Sequence, residues 1–208
     1  MSATGKLPTG AHLRDILERE ATAVSSLPLG NEYPEAVRLI LRHVHEGGGR
    51  LITSGMGKAG QIAQNIATTF SSTGTPAFFL HPAEAQHGDL GIIREGDLLL
   101  LVSNSGKTRE ILELIRLAKV LVPGIPFISI TGDATSELAR RSDVTLYTGH
   151  PAEVCPLGLT PTTSTTVMTV MGDLLVVSVM EAIGFTHEEY AKRHHGGYLG
   201  EASRSHHA

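Results

Sequence analysis

The chain has 208 residues and a mass of 22.1 kDa, a size that suits one hydrophobic core and argues against two full domains. Hydrophobic residues make up 41% of the sequence and charged residues 18%, a composition that excludes a disordered chain and a collagen-like repeat. The net charge is -4, and no segment gathers the basic residues into a stripe. We therefore expect no nucleic-acid partner.

The same composition indicates a reduced compartment. Cys155 is the only cysteine, so the chain cannot form an internal disulfide, and the first twenty residues contain no apolar signal-like run. No stretch reaches ~18 uninterrupted apolar residues, because the nearest one, residues 167–183, contains Thr169 and Asp173. We expect a cytoplasmic protein with no membrane partner.

The elements predicted in chain order alternate between helices and strands. Apolar residues three and four positions apart predict helices over 11–26 and 34–46. Five short apolar runs then predict strands over 51–53, 77–80, 98–102, 127–130 and 144–147. Helical spacing lies between these runs at 58–72, 108–121 and 135–141. Alternating β and α elements predict an α/β fold, a parallel sheet covered by helices on both faces.

A long helix is predicted after the last strand. Thr160 supplies an N-cap and Pro161 a first helical residue, and the helix should run to about Ile183. Its second half is apolar around nearly its whole circumference, which predicts burial on several sides and hence a subunit interface. We treat residues 1–208 as a single domain with a core over about 34–200, and expect the tail 201–208 to be disordered.

Two loops after predicted strands are candidate ligand loops. Residues 54–60, SGMGKAG, match the dinucleotide fingerprint G-x-G-x-x-G, yet no acid that could hold a ribose ends the second strand. Lys58 is also a cation that such a site does not need, so a phosphorylated small molecule or a structural turn remain the alternatives. Residues 103–108, SNSGKT, place three hydroxyls and a glycine before a helix, which favours a phosphate site over plain N-capping.

A third loop, residues 155–166, ends in a run of Thr and Ser residues at the start of the long helix. Such residues compete with helical hydrogen bonds, so a sugar or phosphate lying over this terminus would favour them, although part of the run is ordinary helix-start chemistry. A zinc site is not expected, because His81, His87 and Asp89 do not supply the four Cys or His ligands of a structural site.

Together these segments resemble the sugar isomerase (SIS) domain family and, within it, the arabinose 5-phosphate isomerases. The strings that carry the resemblance are SGMGKAG (54–60), STGTPAFFLHPAEAQHGDLG (72–91), SNSGKT (103–108), EVCPLGLTPTTSTT (153–166), MGDLLVV (171–177) and HHGGYLG (194–200). The resemblance implies a three-layer α/β/α sandwich with a five-stranded parallel sheet of the flavodoxin-like kind. It also implies a homodimer or homotetramer whose active sites are shared between subunits. Longer members carry paired C-terminal CBS modules, which we expect to be absent here.

The implied reaction is the metal- and cofactor-independent interconversion of D-ribulose 5-phosphate and D-arabinose 5-phosphate, a step that feeds lipopolysaccharide or capsule biosynthesis. The resemblance assigns catalysis to Lys58 near the reacting end, Glu153 as acid or base, and His194 in ring opening or proton shuttling. It assigns substrate binding to Ser54, Gly55, His87, Ser103, Asn104, Ser105, Lys107, Thr108, Thr162, Thr163 and Ser164. These residue types fit the chemistry, since a carboxylate can move the proton, an ammonium can stabilise the enediolate and an imidazole can shuttle protons near neutrality.

Two positions depart from the family pattern. Lys107 stands where the isomerases usually have a glutamate, and His195 stands where they usually have a proline. Lys107 leaves two alternatives open, an isomerase for a more anionic sugar phosphate and a non-catalytic phosphosugar sensor. If the missing carboxylate matters for arabinose 5-phosphate, Lys107→Glu should raise its turnover.

Overall fold

The computed structural model describes residues 7–195, and these form eight α-helices and five β-strands. The helices are α1 (Gly10–Ser25), α2 (Glu32–Ile40), α3 (Gly57–Ser72), α4 (Pro82–Ala85), α5 (Arg109–Leu121), α6 (Glu137–Arg141), α7 (Thr163–Ala182) and α8 (His187–Arg193). The strands are β1 (Leu51–Gly55), β2 (Ala77–Phe79), β3 (Leu98–Val102), β4 (Phe127–Thr131) and β5 (Val144–Tyr147). A π-helical turn (Leu41–Glu46) continues α2, and a 3-10 turn (Asp89–Ile92) follows α4.

The strands form one parallel sheet in the order β2-β1-β3-β4-β5. This is the flavodoxin-like order, in which the chain reverses its direction of progress across the sheet between β1 and β3. The predicted α/β class and the five-stranded parallel sheet are therefore confirmed. In such sheets ligands bind beyond the carboxyl ends of the strands at the reversal point, which here lies where β1 and β3 end.

Helices cover both faces of the sheet, which gives the three layers. One hydrophobic cluster packs α2, α3 and α7 against one face, with Phe70, Leu100 and Leu175 fully buried. The second cluster packs α5 and α6 against the other face around Leu114 and Phe127. Every residue of β1, β3 and β4 is buried, as the continuous apolar runs of the sequence predict for strands covered on both sides.

Strand prediction succeeds best where a run is continuous and apolar. The bounds of β3 and β5 are those predicted, and β1 and β4 extend beyond the prediction by two residues and one. The short α4 and α8 were not predicted, because four and seven residues carry too little periodicity to stand out. The predicted tail 201–208 and residues 196–200 of the core lie outside the described residues.

The start of α7 differs from the prediction. The helix begins at Thr163 with Thr162 as N-cap, and Pro161 precedes it. Residues 155–160 form a turn instead, in which the backbone N–H groups of Leu159 and Thr160 donate to the Cys155 Sγ at 3.2 and 3.1 Å. These contacts hold the chain in a non-helical path up to Pro161.

The long helix α7 is half buried within the protomer. By length and composition it is the one helix among residues 7–195 that could cross a membrane. Half of its apolar 18-residue stretch is buried within the fold, however, as in the core helix of a soluble protein. Other apolar side chains remain uncovered in the protomer, since Leu13 and Leu17 on α1 are 54% and 60% exposed and Val177 on α7 is 51% exposed. These faces agree with the predicted subunit interface but do not test it.

Candidate functional site

A cavity of about 440 Å³ lies at the carboxyl ends of β1 and β3, where the sheet reverses its order. All three predicted ligand loops contribute to its lining, the third through Pro161 and the first turns of α7. Its lining residues are Met56, Lys58, Ala59, Ser103, Asn104, Ser105, Thr108, Pro161, Ser164, Thr165 and Met168. The topology thus brings together segments that are more than a hundred residues apart in the sequence.

The glycines of the first loop serve backbone packing. A Cβ at Gly55 would lie 2.7 Å from the Ala59 carbonyl oxygen, and one at Gly60 would lie 2.6 Å from the Gly55 carbonyl oxygen. Gly57 has a φ of +56°, in the left-handed region that favours glycine. This close turn from strand to helix accounts for the G-x-G-x-x-G spacing without a dinucleotide.

Ser54 was predicted to bind substrate but faces the fold interior. Its side chain is fully buried at the end of β1, and its hydroxyl donates to the Leu80 carbonyl oxygen at 2.7 Å. Gly55, also predicted to bind, lies beside it as part of the buried turn. Both residues support the loop through buried packing contacts, and neither lines the cavity.

Lys58, which was predicted to be catalytic, lies in the first turn of α3 and lines the cavity. It also lines a neighbouring cavity of about 370 Å³ that shares Pro161 and Thr165 with the first. Its ammonium group forms no ion pair with another residue in the range 7–195. A cation in the first helical turn is disfavoured by the helix dipole, so this position gains stability from a bound anion.

The second loop presents an open helix N-terminus to the cavity. Thr108 is the N-cap of α5, but its side chain makes no capping hydrogen bond. Its hydroxyl pairs instead with that of Ser103, the two oxygens being 2.7 Å apart. The first N–H groups of α5 therefore lack the side-chain acceptor that a capping threonine provides, and plain N-capping does not explain this loop.

The middle of this loop is held against β4 and α6. Gly106 has a φ of +60° and packs so closely that a Cβ there would lie 2.0 Å from the Ser136 hydroxyl. The Asn104 carbonyl oxygen accepts from the Gly132 N–H at 2.9 Å, while its side-chain Oδ1 is buried with no hydrogen-bond partner among the described residues. Ser105 is exposed, and its hydroxyl accepts from the Lys107 N–H at 3.2 Å.

Lys107 points away from the cavity. Its ammonium lies 3.5 Å from the Asp133 carboxylate, and its side chain is 70% exposed. Hydrogen bonds from Thr135, followed by the charge of Lys107, lower the pKa of Asp133. The lysine that departs from the family pattern therefore has a carboxylate partner on the loop after β4, and it does not line the cavity.

Glu153 caps the start of α7. Its Oε2 accepts from the backbone N–H and the hydroxyl of Thr162 at 2.7 and 2.9 Å, and from the Ser164 N–H at 3.3 Å. Burial raises the pKa of the Glu153 carboxyl, but hydrogen bonds from Ser164 and Thr162 outweigh burial and leave the pKa below its usual range. Glu153 is therefore ionised at neutral pH and lies next to Ser164, which lines the cavity.

Helical periodicity decides which hydroxyls of the third loop reach the cavity. Pro161, Ser164, Thr165 and Met168, spaced as one helix face, line it. Ser164 was predicted. Thr162 and Thr163 were predicted too, but their hydroxyls donate to Glu153 and to the Oε1 of Glu20, on α1. The i, i+3, i+4, i+7 pattern was the signal that could have identified Thr165 and Met168 from the sequence.

Two predicted histidines lie away from this cavity in the protomer. His87 is exposed in the turn after α4 and does not line it. His194 follows α8, where its ring stacks on Tyr190 at 3.8 Å and its Nδ1 lies 3.0 Å from the Tyr190 carbonyl oxygen. Tyr190 contacts Phe185, which packs against Gly74 just before β2, at the edge of the sheet where the strands begin, opposite the cavity.

Within residues 7–195, no three His, Cys, Asp or Glu side chains come together in an arrangement that could hold a metal ion.

Comparison with known proteins places these loops in a family. The SIS domain model matches residues 46–178, and the chain belongs to the SIS domain family. It is 47% identical over 184 residues to the arabinose 5-phosphate isomerase KdsD of Pseudomonas aeruginosa, an alignment that covers 88% of this chain and 55% of the relative. The KdsD of Escherichia coli K12 is 50% identical over 152 residues, 73% of this chain and 46% of the relative. The chain thus spans about half the length of these relatives.

Two solved structures are similar to this chain in both fold and length. A Bacteroides fragilis protein provisionally assigned as a phosphosugar isomerase involved in capsule formation is 64% identical, with a TM-score of 0.89 over 90% of this chain and 98% of that one. The E. coli CFT073 protein c3406, solved in complex with arabinose 5-phosphate, is 33% identical, with a TM-score of 0.80 over 88% of this chain and 97% of that one.

The cavity predicts that inorganic phosphate binds at the 103–108 loop. We expect phosphate to shift the amide NMR signals of Ser105 and Thr108, and Ser105→Ala combined with Thr108→Val to weaken binding about tenfold, as for lost hydrogen bonds to a charged group. The matched control is Thr135→Ala, on the neighbouring loop, which should bind phosphate as the wild type does. Equal affinity in the double variant and the wild type would contradict a phosphate site at this loop.

Proposed function

We propose that the protein is a phosphosugar aldose–ketose isomerase that interconverts D-ribulose 5-phosphate and D-arabinose 5-phosphate. The observation that carries the proposal is a convergence on one cavity. Lys58, with no ion-pair partner among residues 7–195, and the uncapped N-terminus of α5 meet there, with the ionised Glu153 beside them. The KdsD relatives and the arabinose 5-phosphate complex of c3406 support this substrate. The cytoplasm is the proposed location.

The phosphate group binds at the 103–108 loop. The first N–H groups of α5 and the hydroxyls of Ser105 and Thr108 supply donors, and the positive end of the helix dipole favours a dianion. Ser103 orients the Thr108 hydroxyl through their mutual hydrogen bond. With the phosphate bound there, the sugar chain extends into the part of the cavity between α3 and α7, where Lys58 and Ser164 lie.

Glu153 transfers the proton between the two carbons of the reacting end. Because its Oε2 is engaged by Thr162 and Ser164, we assign the transfer to Oε1. The carboxylate removes the proton from C2 of the aldose, and the electrons form the C1=C2 enediolate. The protonated Glu153 exchanges its proton with solvent and then protonates C1, while the proton of the C2 hydroxyl passes to O1, so that C2 becomes the carbonyl carbon. Lys58 stabilises the negative charge that develops on the oxygen, a role suited to a cation that no carboxylate among residues 7–195 neutralises.

The third catalytic group, His194, comes from a neighbouring subunit in this proposal. In the protomer its ring stacks on Tyr190 and does not line the cavity, so in this proposal it serves the cavity of another chain. The exposed apolar residues of α1 and α7 offer surfaces for a dimer or tetramer that would bring a second copy's His194 to the cavity.

The reaction is tested by deuterium incorporation. In D2O, we expect the wild-type protein to interconvert arabinose 5-phosphate and ribulose 5-phosphate, with label appearing at the carbon next to the carbonyl in the NMR spectrum. Glu153→Gln should lower kcat by about 10²–10⁴, the usual contribution of a positioned proton carrier. Lys58→Met should lower it by about 10²–10³, as for loss of an oxyanion donor.

The matched control for Glu153→Gln is Glu181→Gln, an exposed carboxylate near the other end of α7. A glutamine at 153 can still accept from Thr162 but loses the charge-assisted character of these hydrogen bonds, so Glu153→Gln should stay folded with an unfolding temperature somewhat below that of Glu181→Gln. If the wild type binds the sugar phosphate but incorporates no label, the isomerase proposal fails and the protein is a phosphosugar sensor.

Because Lys107 pairs with Asp133, the effect of having lysine in place of the family's usual glutamate must be tested with a double variant. Lys107→Glu alone would place two carboxylates side by side, so the informative variant combines Lys107→Glu with Asp133→Asn. We expect this double variant to raise arabinose 5-phosphate turnover roughly tenfold, because it restores a carboxylate where the isomerases have one. Asp133→Asn alone is the control, and unchanged or lower turnover in the double variant would show that position 107 does not limit this reaction.

Sharing of the site between subunits is tested with mixed oligomers. Lys58→Met and His194→Ala should each have strongly reduced activity alone, whereas hetero-oligomers of the two should recover activity, since some sites would combine a native Lys58 with a native His194 from the other chain. Hetero-oligomers of Lys58→Met with Glu153→Gln are the matched control and should stay inactive, because those two residues serve one cavity. Activity that fails to recover in the first mixture would contradict the shared site.

A further inference from the structure

Two consecutive residues of α1 bind the segment that carries Glu153. The Arg19 Nη2 donates to the Glu153 carbonyl oxygen at 3.3 Å, and the Glu20 Oε1 accepts from the Thr163 hydroxyl at 2.8 Å. These contacts join parts of the chain more than 130 residues apart. Helix α1 lies outside residues 46–178, where the SIS domain model matches, so the family pattern assigns it no part in the site.

Both contacts end on the same peptide group. The Thr163 hydroxyl, while donating to Glu20, accepts from the Val154 N–H at 3.2 Å. The Glu153 carbonyl and the Val154 N–H belong to one planar peptide unit, so Arg19 holds its oxygen and Glu20, acting through Thr163, holds its nitrogen. A peptide unit held at both ends restricts the backbone around Glu153 and therefore the direction of its Cα–Cβ bond.

The surroundings of Glu20 favour a persistent contact. Thr163 is 1% exposed, and the Glu20 Oε2 is buried without a hydrogen-bond partner among the described residues. A carboxylate beside the first residue of α7 also interacts favourably with the positive end of the helix dipole. Arg19 is half exposed and has a second, weak partner in Asp15 at 3.9 Å. The Glu20–Thr163 hydrogen bond is therefore the stronger of the two contacts.

We propose that Glu20, through Thr163, is a positioning residue that orients the Glu153 carboxylate for proton transfer, with Arg19 as its auxiliary. This inference rests on the proposed function of Glu153. Glu20 touches neither the cavity nor the substrate, so it acts on the rate of the chemical step and leaves the phosphate contacts of the 103–108 loop unchanged.

The test compares kinetic parameters of four variants under conditions where circular dichroism shows each to be folded. Glu20→Ala should lower kcat about tenfold to a hundredfold, as small misplacements of a reacting group do, with KM within about twofold of wild type. Glu20→Gln keeps an acceptor for the Thr163 hydroxyl and should restore most of kcat. Glu18→Ala is the matched control, an exposed glutamate on the same helix, and should equal wild type.

A double-mutant cycle tests the route through Thr163. Thr163→Val, the fourth variant, removes the hydroxyl at nearly constant volume and should lower kcat as Glu20→Ala does. Adding Glu20→Ala to it should lower kcat by less than about twofold more. Additive losses, a kcat for Glu20→Ala equal to that of Glu18→Ala, or no recovery in Glu20→Gln would overturn the proposal.

A second readout separates this inference from the proposed function. Amide hydrogen exchange at Val154 should be faster in Glu20→Ala than in Glu18→Ala, whether or not the protein turns over a sugar phosphate. A wild type without turnover would refute the isomerase, and the positioning contact would then be judged on this exchange alone. Equal Val154 exchange in the two variants would overturn it.

Discussion

The reversal of strand order between β1 and β3 is the constraint on which the site depends. These strands pair in parallel over five residues, from Leu51 with Leu98 to Gly55 with Val102, so their carboxyl ends lie side by side. The loop after each strand leads directly into a helix, α3 or α5, and the two helix N-termini therefore meet at one cavity. Two positive helix ends and one lysine with no ion-pair partner among the described residues create a place where an anion is needed for electrostatic balance.

The hydrogen bonds of the Glu153 carboxylate both cap α7 and lower the pKa of Glu153. As an acceptor for Thr162 and Ser164 it determines where α7 begins, and the same hydrogen bonds keep its pKa low. A carboxyl whose pKa is lowered on folding stabilises the native state above its ordinary pKa, and that contribution is lost as pH falls through the lowered value. The Glu153 carboxylate is thus held ionised and in place by the helix that it caps.

Sequence reasoning succeeded where a structural feature depends on a local pattern of residues. It failed where the direction of a side chain depends on a partner far away in the sequence. Strands β3 and β5 could be located because a buried parallel strand is a continuous apolar run. Lys58 and Ser105 could be placed at helix N-termini beside one cavity because glycine-rich and hydroxyl-rich loops mark such termini, while their roles stay predictions. The direction of a side chain could not be predicted. Lys107 pairs with Asp133 and Thr163 with Glu20, contacts across 26 and 143 positions of sequence that no local pattern encodes.

The proposed oligomer would account for two features of the protomer. His194 stacks on Tyr190 near the edge of the sheet opposite the cavity, and apolar side chains such as Leu17 and Val177 remain uncovered on α1 and α7. Burying those faces in an oligomer would contribute free energy of about 25 cal/mol per Å² of apolar area and could bring a second histidine to each cavity. Helix α1 would then have two roles, since the same helix that offers the exposed leucines also holds the Glu153 peptide through Glu20 and Thr163. Assembly and orientation of the base would be coupled through α1, because any shift of that helix on association moves the contact that fixes Glu153.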